Sequence, residues 1–569
     1  MLCSDSVFFA SAVKIHGTAG SSGIHKVRSQ TGALMATVSD ASIRLTLQNV
    51  AQFGDTDVFP YPIENHWFHD AEDQVLALLK QLDADFCEWL TSYPVASVKS
   101  LASVGYSGFR AGTQIDPVWN AYLLGLVIEI APEIERARLG TNRVFSYRFK
   151  PSDQAPMLFD PDIGWRRFHE EALQLSANYQ FILSTDISDF YPRVRHHRLE
   201  NALKLATSKA EVARRIMAIL EKLSGGASHG LPIGGNAARL LAELLLDRTD
   251  RLLVSRNVHF QRFVDDYLIF SNSVEKAQSD LVVLSQVLLD NEGLSLQRVK
   301  TRIMTVAEFR TWSPVAQPDA GTSEHEAITR EFLQLRLRYD PYSPTANEDY
   351  ENLKAELARF DIVSMLTREL RKSRVDEIVA RQLIRSISLL DGSVRDDAVL
   401  SVIENMVTLY PVFPTVALVL RGIINDVPDK IRDAVFDTLR HLLSEASHVL
   451  LVPTNLAFAL RIMAIDQSGE TDVLLNQSYG RPGTDMMLKR DIIWAMVRRR
   501  AAYWLSDVLL RFQNLTSWEK RALLAASFVL GDEGRHWRDH NRAGLSSVDQ
   551  AFLQWLGLKN NGRLWEVPL

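Results

Sequence analysis

Two adjacent aspartates, Asp265 and Asp266, interrupt an apolar run in "HFQRFVDDYLIFS", from His259 to Ser271. Neighbours in a strand point to opposite faces, so a buried pair would leave one charge in a core. At a two-residue hairpin tip, with "RFV" and "YLIF" as its arms, both can instead project into a cleft. An ordinary turn is the plainer alternative, since Asp is common there. A third carboxylate, Asp186, closes the apolar strand of "NYQFILSTDISDFYP" just before a turn. One aspartate from a strand end and two from a hairpin tip suit hard divalent cations such as Mg2+. The matching chemistry is two-metal phosphoryl transfer: one ion activates a 3′-hydroxyl, the other holds a triphosphate and its leaving group. Asp189, three residues on, reads as a turn or cap residue rather than a ligand.

Several elements must position these groups. Helical spacing runs from Ala71 to Trp89 and over residues 117–138. "NRVFSYRFK" (Asn142 to Lys150) alternates and is aromatic-rich, which predicts a strand or hairpin arm. The glycine-rich "SGGASHGLPIGG" precedes a helix from Asn236 to about Leu253. Another helix spans 274–290, and "GLSLQRVKTRIM" predicts a further strand. By composition "WSPVAQPDAGTSEHE" is a linker. Beyond it the chain changes character, with amphipathic helical segments of about 12–20 residues and short connections. Their size fits a HEAT-like solenoid or an irregular bundle, although no strict repeat is visible. The expected fold is an α/β core followed by an all-α helical-repeat domain. The boundaries are a disordered tail at 1–34, the core at 35–312, a linker at 313–326 and the helical domain at 327–569. Met35 is an alternative start.

Composition excludes some classes. The chain has 569 residues, 46% hydrophobic and 23% charged, as in soluble globular proteins. No apolar run has the length of a membrane helix; "AYLLGLVIEIAP" is broken by Glu129. Two cysteines far apart, Cys3 and Cys87, give neither a disulfide framework nor a cysteine zinc site, and a reducing cytoplasm fits. The N-terminus lacks a basic region and carries Asp5, against a secretory signal. A net charge of −6 confines any nucleic-acid contact to a local groove.

In order along the chain, "DISDFYP" (from Asp186), "GLPIGG" (230–235) and "FVDD" (263–266) resemble motifs A, B and C of reverse transcriptases. "LQRVKT" resembles motif D, and "RVFSYRFK" resembles the fingers segment ahead of motif A. Asp186 and Asp265 are 79 residues apart, a gap typical of compact palms. More narrowly, the chain is similar to bacterial abortive-infection and defence-associated reverse transcriptases. "LPIGGNAARLLAEL", the long helical half, "FGDTDVFPYPIE" and "LGDEGRHWR" carry that likeness. It covers about residues 50–310 strongly and the rest weakly.

The resemblance implies a palm-and-fingers core making DNA from deoxynucleotide triphosphates with Mg2+ or Mn2+. Asp186, Asp265, Asp266 and the Ile187 carbonyl would hold metal. Tyr191 falls at the steric gate, with a core tyrosine as the alternative. Arg143 or Arg148 would clamp the triphosphate. Lys300 would be a general acid or a solvated surface lysine. Gly234 and Gly235 would let backbone approach nucleotide and template. Two departures, Ile233 for a polar residue and Phe263 for the usual Tyr, leave metal chemistry intact but weaken conventional templating. The relatives imply anti-phage defence, little or no template, sometimes a tyrosine primer, and assembly as a trimer or hexamer. Tyr61 and Tyr106 are among the tyrosines, and none is chosen. Two rivals stay open: a retron-like enzyme copying a partner non-coding RNA, and a helical scaffold or sensor with a vestigial core.

Other motifs carry less. His196 and His197 lack further ligands for zinc. "RVRHHR" is either a phosphate-binding patch or a solvated helix start. "KRDIIWAMVRRRAAYW" reads as helical core ahead of a path for single-stranded DNA product. "DEGRHWR" suggests an inter-domain latch.

Overall fold

A computed structural model describes residues 36–152, 155–313, 324–335, 337, 346–561 and 565–569. The expected tail at 1–34, Met35 and most of the linker lie outside these residues. The described residues hold six strands and 27 α-helices. A two-stranded antiparallel hairpin pairs β1 (Ser97–Val104) with β2 (Gly108–Ile115). A four-stranded sheet runs in the order β4-β5-β3-β6, all antiparallel. Its strands are β3 (Phe181–Asp186), β4 (Phe260–Phe263), β5 (Asp266–Ser271) and β6 (Arg302–Thr305).

Both faces of this sheet are covered, which explains its nearly continuous apolar strands. Ile182, Leu268, Phe270 and Met304 pack with Phe168 and Phe309, from helices Trp165–Ser176 and Val306–Trp312. Leu183, Tyr267 and Ile269 belong to the opposite core, with helices Asn236–Ser255 and Val274–Glu292. Side chains alternate along a strand, so Asp186 shares the face of Ile182, and Asp266 that of Leu268.

Several expectations are corrected. The predicted helix at 71–89 is two helices, Glu72–Ala84 and Phe86–Ser92, divided at Asp85. The 117–138 helix is present as Pro117–Ala137. "NRVFSYRFK" forms no strand; it makes only isolated bridges, Val144 to Arg262 and Phe149 to Phe159. Tyr147 sits at φ 46°, a left-handed kink that breaks side-chain alternation. Of "GLSLQRVKTRIM" only Arg302–Thr305 is strand, and residues 298–300 turn. The β1–β2 hairpin was not anticipated.

The described residues after 346 carry no strand and are helical throughout, with short connections. This half is not a detached appendage. Several hydrogen bonds join it to residues 61–116. Buried Arg521 donates to Glu64 Oε1 (2.7 Å) and Asp116 Oδ2 (2.8 Å). Ser100 donates to Asp485 (2.6 Å), and the Tyr106 hydroxyl to the Thr408 carbonyl (2.8 Å). No described helix is long and apolar enough to cross a membrane.

Candidate active site

The β3–β5 register sets Asp186 directly opposite Asp266 at the end of the sheet. The β4–β5 hairpin closes with Phe263 opposite Asp266, so its two tip residues are Val264 and Asp265. The aspartate pair therefore straddles the tip and the first position of β5 instead of forming the tip. Ile187 donates its N–H to the Asp265 carbonyl (3.1 Å), tying the two strand ends together. Gln297 donates to the Asp186 carbonyl (2.7 Å) and Ser188 to Ser295 (2.8 Å), so the segment before β6 fastens the far side.

Asp186 and Asp266 thus face each other, with Asp265 next in sequence, where like charges opposite one another are destabilising. Burial, then Asp186 and Asp266, push Asp265 up to about 7. Burial and Asp186 raise Asp266 to about 6. Asp186 is 6% exposed, and its Oδ1 is buried with no hydrogen-bond partner. The other oxygen contacts the Lys300 ammonium. Burial works against the charge on Lys300, but Asp186, Asp266 and Asp265 outweigh it and raise its pKa. As placed, no three His, Cys, Asp or Glu side chains among the described residues close on one point. Lys300 supplies the cation at Asp186. An orphaned carboxylate oxygen beside two carboxylates of raised pKa is the donor set a hard divalent cation requires, so these residues fit one.

Tyr191 lies in the short helix Phe190–Arg193, part-buried, its carbonyl accepting from Leu231 N–H (2.8 Å). Burial raises its phenol pKa well above the usual range, with Tyr147, Glu243 and Asp265 adding to it. Asp189 takes the left-handed conformation (φ 48°) before that helix, as a turn residue. His196 donates to the Gly230 carbonyl (2.9 Å), so it pins the glycine loop. Gly234 (φ 122°) needs glycine, but a side chain there would strike Thr56, so the near neighbour is the loop after Phe53.

Neither fingers arginine reaches the carboxylates. Arg143 lies over Phe260 (5.6 Å) at the opposite end of β4, lining a cleft of about 410 Å³ with Tyr179 and His259. Arg148 is buried against Glu135 (2.9 Å) and donates to the Leu139 carbonyl (2.8 Å). The kink at Tyr147 turns Arg148 into the interior, whereas half-buried Arg143 stays at the cleft. A second cleft, of about 190 Å³, opens beneath Leu231–Ile233, also away from the carboxylates. Another cation, Arg239, lies over the Tyr147 ring (5.0 Å) and is paired with exposed Asp57 (2.6 Å).

Sequence reasoning missed the groups behind the turn. Arg262, Glu243, Asp250, Arg138 and Ser146 are all buried there. Their signal was a charge inside the aromatic strand "HFQRF", and two acids seven residues apart in the apolar helix "LLAELLLDRTD". "KRDIIWAMVRRRAAYW" is indeed core: Trp494 is buried and Arg499 bonds Asp472 (2.5 Å) and the Ser468 carbonyl (2.7 Å). "DEGRHWR" is no inter-domain latch; Trp537 packs on Phe512 (4.8 Å) and Arg538 on Phe528 (4.0 Å), within the helical half.

Residues 133–335 match the reverse transcriptase (RNA-dependent DNA polymerase) family. The chain carries a reverse transcriptase domain. It is accordingly an RNA-directed DNA polymerase-like nucleotidyltransferase. Two solved structures are similar, each with a TM-score of 0.28. Apo telomerase from Candida Tropicalis is 9% identical, over 68% of this chain and 74% of that one. Telomerase from Candida albicans, in complex with a TWJ fragment of telomeric RNA, is 11% identical over 64% and 68%. No curated protein matches the chain significantly.

Proposed function

We propose that this protein polymerises deoxynucleotides at the Asp186–Asp265–Asp266 cluster, with Mg2+ or Mn2+ held there and by the Ile187 carbonyl. The observation that carries this reading is the register pairing Asp186 with Asp266, beside an orphaned Asp186 oxygen. Bound divalent cations would activate the attacking hydroxyl and neutralise the leaving pyrophosphate. The protein's own part is to hold the ligands rigid, exclude water and deliver a proton. In this reading Lys300, which contacts Asp186 and whose pKa the cluster raises, would give that proton. Tyr191 would crowd a ribose 2′-hydroxyl. Gly234 and Gly235 would let backbone approach the nucleotide in this reading, with Thr56 close to Gly234 and the Asp55 carbonyl close to Gly235.

Residues 35–312 act as fingers and palm. The helical half from 327, taken as HEAT-like pairs, braces residues 61–116 and is the surface for self-assembly. The setting is bacterial anti-phage defence, with synthesis that needs little or no template. Purified, nuclease-treated protein given labelled deoxynucleotides and Mg2+ or Mn2+ tests this. Long DNA without added template supports untemplated synthesis. Product that appears only after a cognate RNA is restored gives the retron-like reading, and silence in both arms with folded protein overturns polymerisation.

A further inference from the structure

Val264 carries the strain of the hairpin tip. It is a β-branched residue at φ 56°, a left-handed conformation such side chains rarely hold unless their surroundings over-determine it. Its two peptide groups are both clamped. The N–H donates to Ser146 Oγ (2.9 Å), and the carbonyl accepts from Arg262 Nη1 (2.7 Å). Because Asp265 follows directly and Asp266 is next, the peptide fixed here sets where both carboxylates point.

The two clamps belong to one network. Ser146 Oγ donates onward to Glu243 Oε1 (2.5 Å), and Arg262 Nη2 donates to Glu243 Oε2 (3.0 Å) and Asp250 Oδ2 (2.7 Å). Arg262 Nε and the Tyr267 hydroxyl donate to Asp250 Oδ1 (3.0 and 3.2 Å). Arg138 donates to Glu243 Oε2 (2.6 Å) and to the carbonyls of Ser146 (2.6 Å) and Tyr147 (2.9 Å). Arg262, Glu243 and Asp250 are at most 1% exposed, and two guanidinium groups balance two carboxylates. A buried ion network is weak support for stability, since apolar side chains of the same volume avoid the desolvation cost. Apolar residues would supply neither the donor for the Val264 carbonyl nor the acceptor for its N–H.

We infer that Ser146, Arg262, Glu243 and Arg138 are positioning residues that fix the Val264–Asp265 turn and thereby the geometry in which the three aspartates receive a divalent cation. This rests on the metal-binding reading of the cluster. The role assigned to these residues is geometric, through the turn, and none of them touches the reacting atoms.

The test uses the full chain and its smallest perturbation, Ser146→Ala, with Arg262→Lys as a second variant that keeps the charge but loses the fork. Mn2+ binding is followed by the electron-paramagnetic-resonance signal of the free ion, and incorporation kinetics run in parallel. The expected result is Mn2+ affinity at least fivefold weaker in both variants. Turnover falls about tenfold or more, KM for nucleotide stays within about twofold, and cooperative unfolding is retained. Wild-type affinity and turnover in both folded variants would overturn the positioning role. An Asp265→Asn control separates the two claims. If it too binds Mn2+ as the wild type does, the carboxylate site itself fails; if it alone loses binding, only the positioning role fails.

Discussion

The Asp186–Asp265–Asp266 cluster and the Arg262–Glu243–Asp250–Arg138 network lie on either side of one turn, and both hold carboxylates sheltered from solvent. In the network every acid meets a guanidinium. Burial pushes Glu243 up, but Arg262 and Arg138 outweigh it and hold the carboxyl below the usual range. Burial still raises Asp250, against Arg262 and a hydrogen bond from Tyr267. In the cluster the same residue types face one another with exposed Lys300 for relief, and Asp265 and Asp266 rise to about 7 and about 6. Burial alone does not distinguish a structural carboxylate from a functional one; the missing counter-charge does.

The sharpest break between the two regions is in activity. Asp265→Ala with Asp266→Ala should lower nucleotide incorporation by at least ~10⁴-fold, about 5 kcal/mol of transition-state stabilisation. Urea unfolding should be no easier than in the wild type, because the substitutions remove repulsion. The network should behave in the opposite way. Glu243→Gln leaves buried guanidinium charge uncompensated and should cost about 3–5 kcal/mol in the same urea experiment.

Acidity separates the regions further. An unfolded aspartate titrates near pH ~4, whereas folded Asp265 does so at about 7. Between those values the folded state binds more protons, so metal-free stability falls as pH rises through that window and is flat above it. The loss is on the order of 1.4 kcal/mol for each pKa unit. Melting between pH 5 and 8 should show this slope in the wild type, a shallower one in Asp265→Asn, and its reversal by Mg2+. The smallest effect belongs beside the cluster: Tyr191→Val should relax discrimination against ribonucleotides by about tenfold, ~1.4 kcal/mol, in competition assays.

Much of the cluster was legible because charges inside apolar strands are rare enough to demand a reason. Asp186 at a strand end and the aspartate pair in a hairpin follow from period-two patterning, and the structure pairs them across β3 and β5. The arginines were not legible. Local alternation in "NRVFSYRFK" promised a strand, but the segment meets β4 at a single bridge, Val144 to Arg262, and the left-handed Tyr147 turns Arg148 into the interior. The network stayed hidden for another reason. Single charges on helices usually face solvent, and only the tertiary fold brings Glu243, Asp250 and Arg262 behind the turn. Likewise β6 is shorter than its sequence suggests, because residues 298–300 turn to carry Lys300 to Asp186.

The central claim is that the unpaired carboxylates are unpaired for the sake of a metal-dependent polymerisation. It is tested most directly by incorporation of a labelled deoxynucleotide at saturating Mg2+, comparing wild type with Asp265→Asn after both are confirmed folded. Product from the wild type alone, abolished by chelator, is the expected result. Equal incorporation by the two proteins would contradict it.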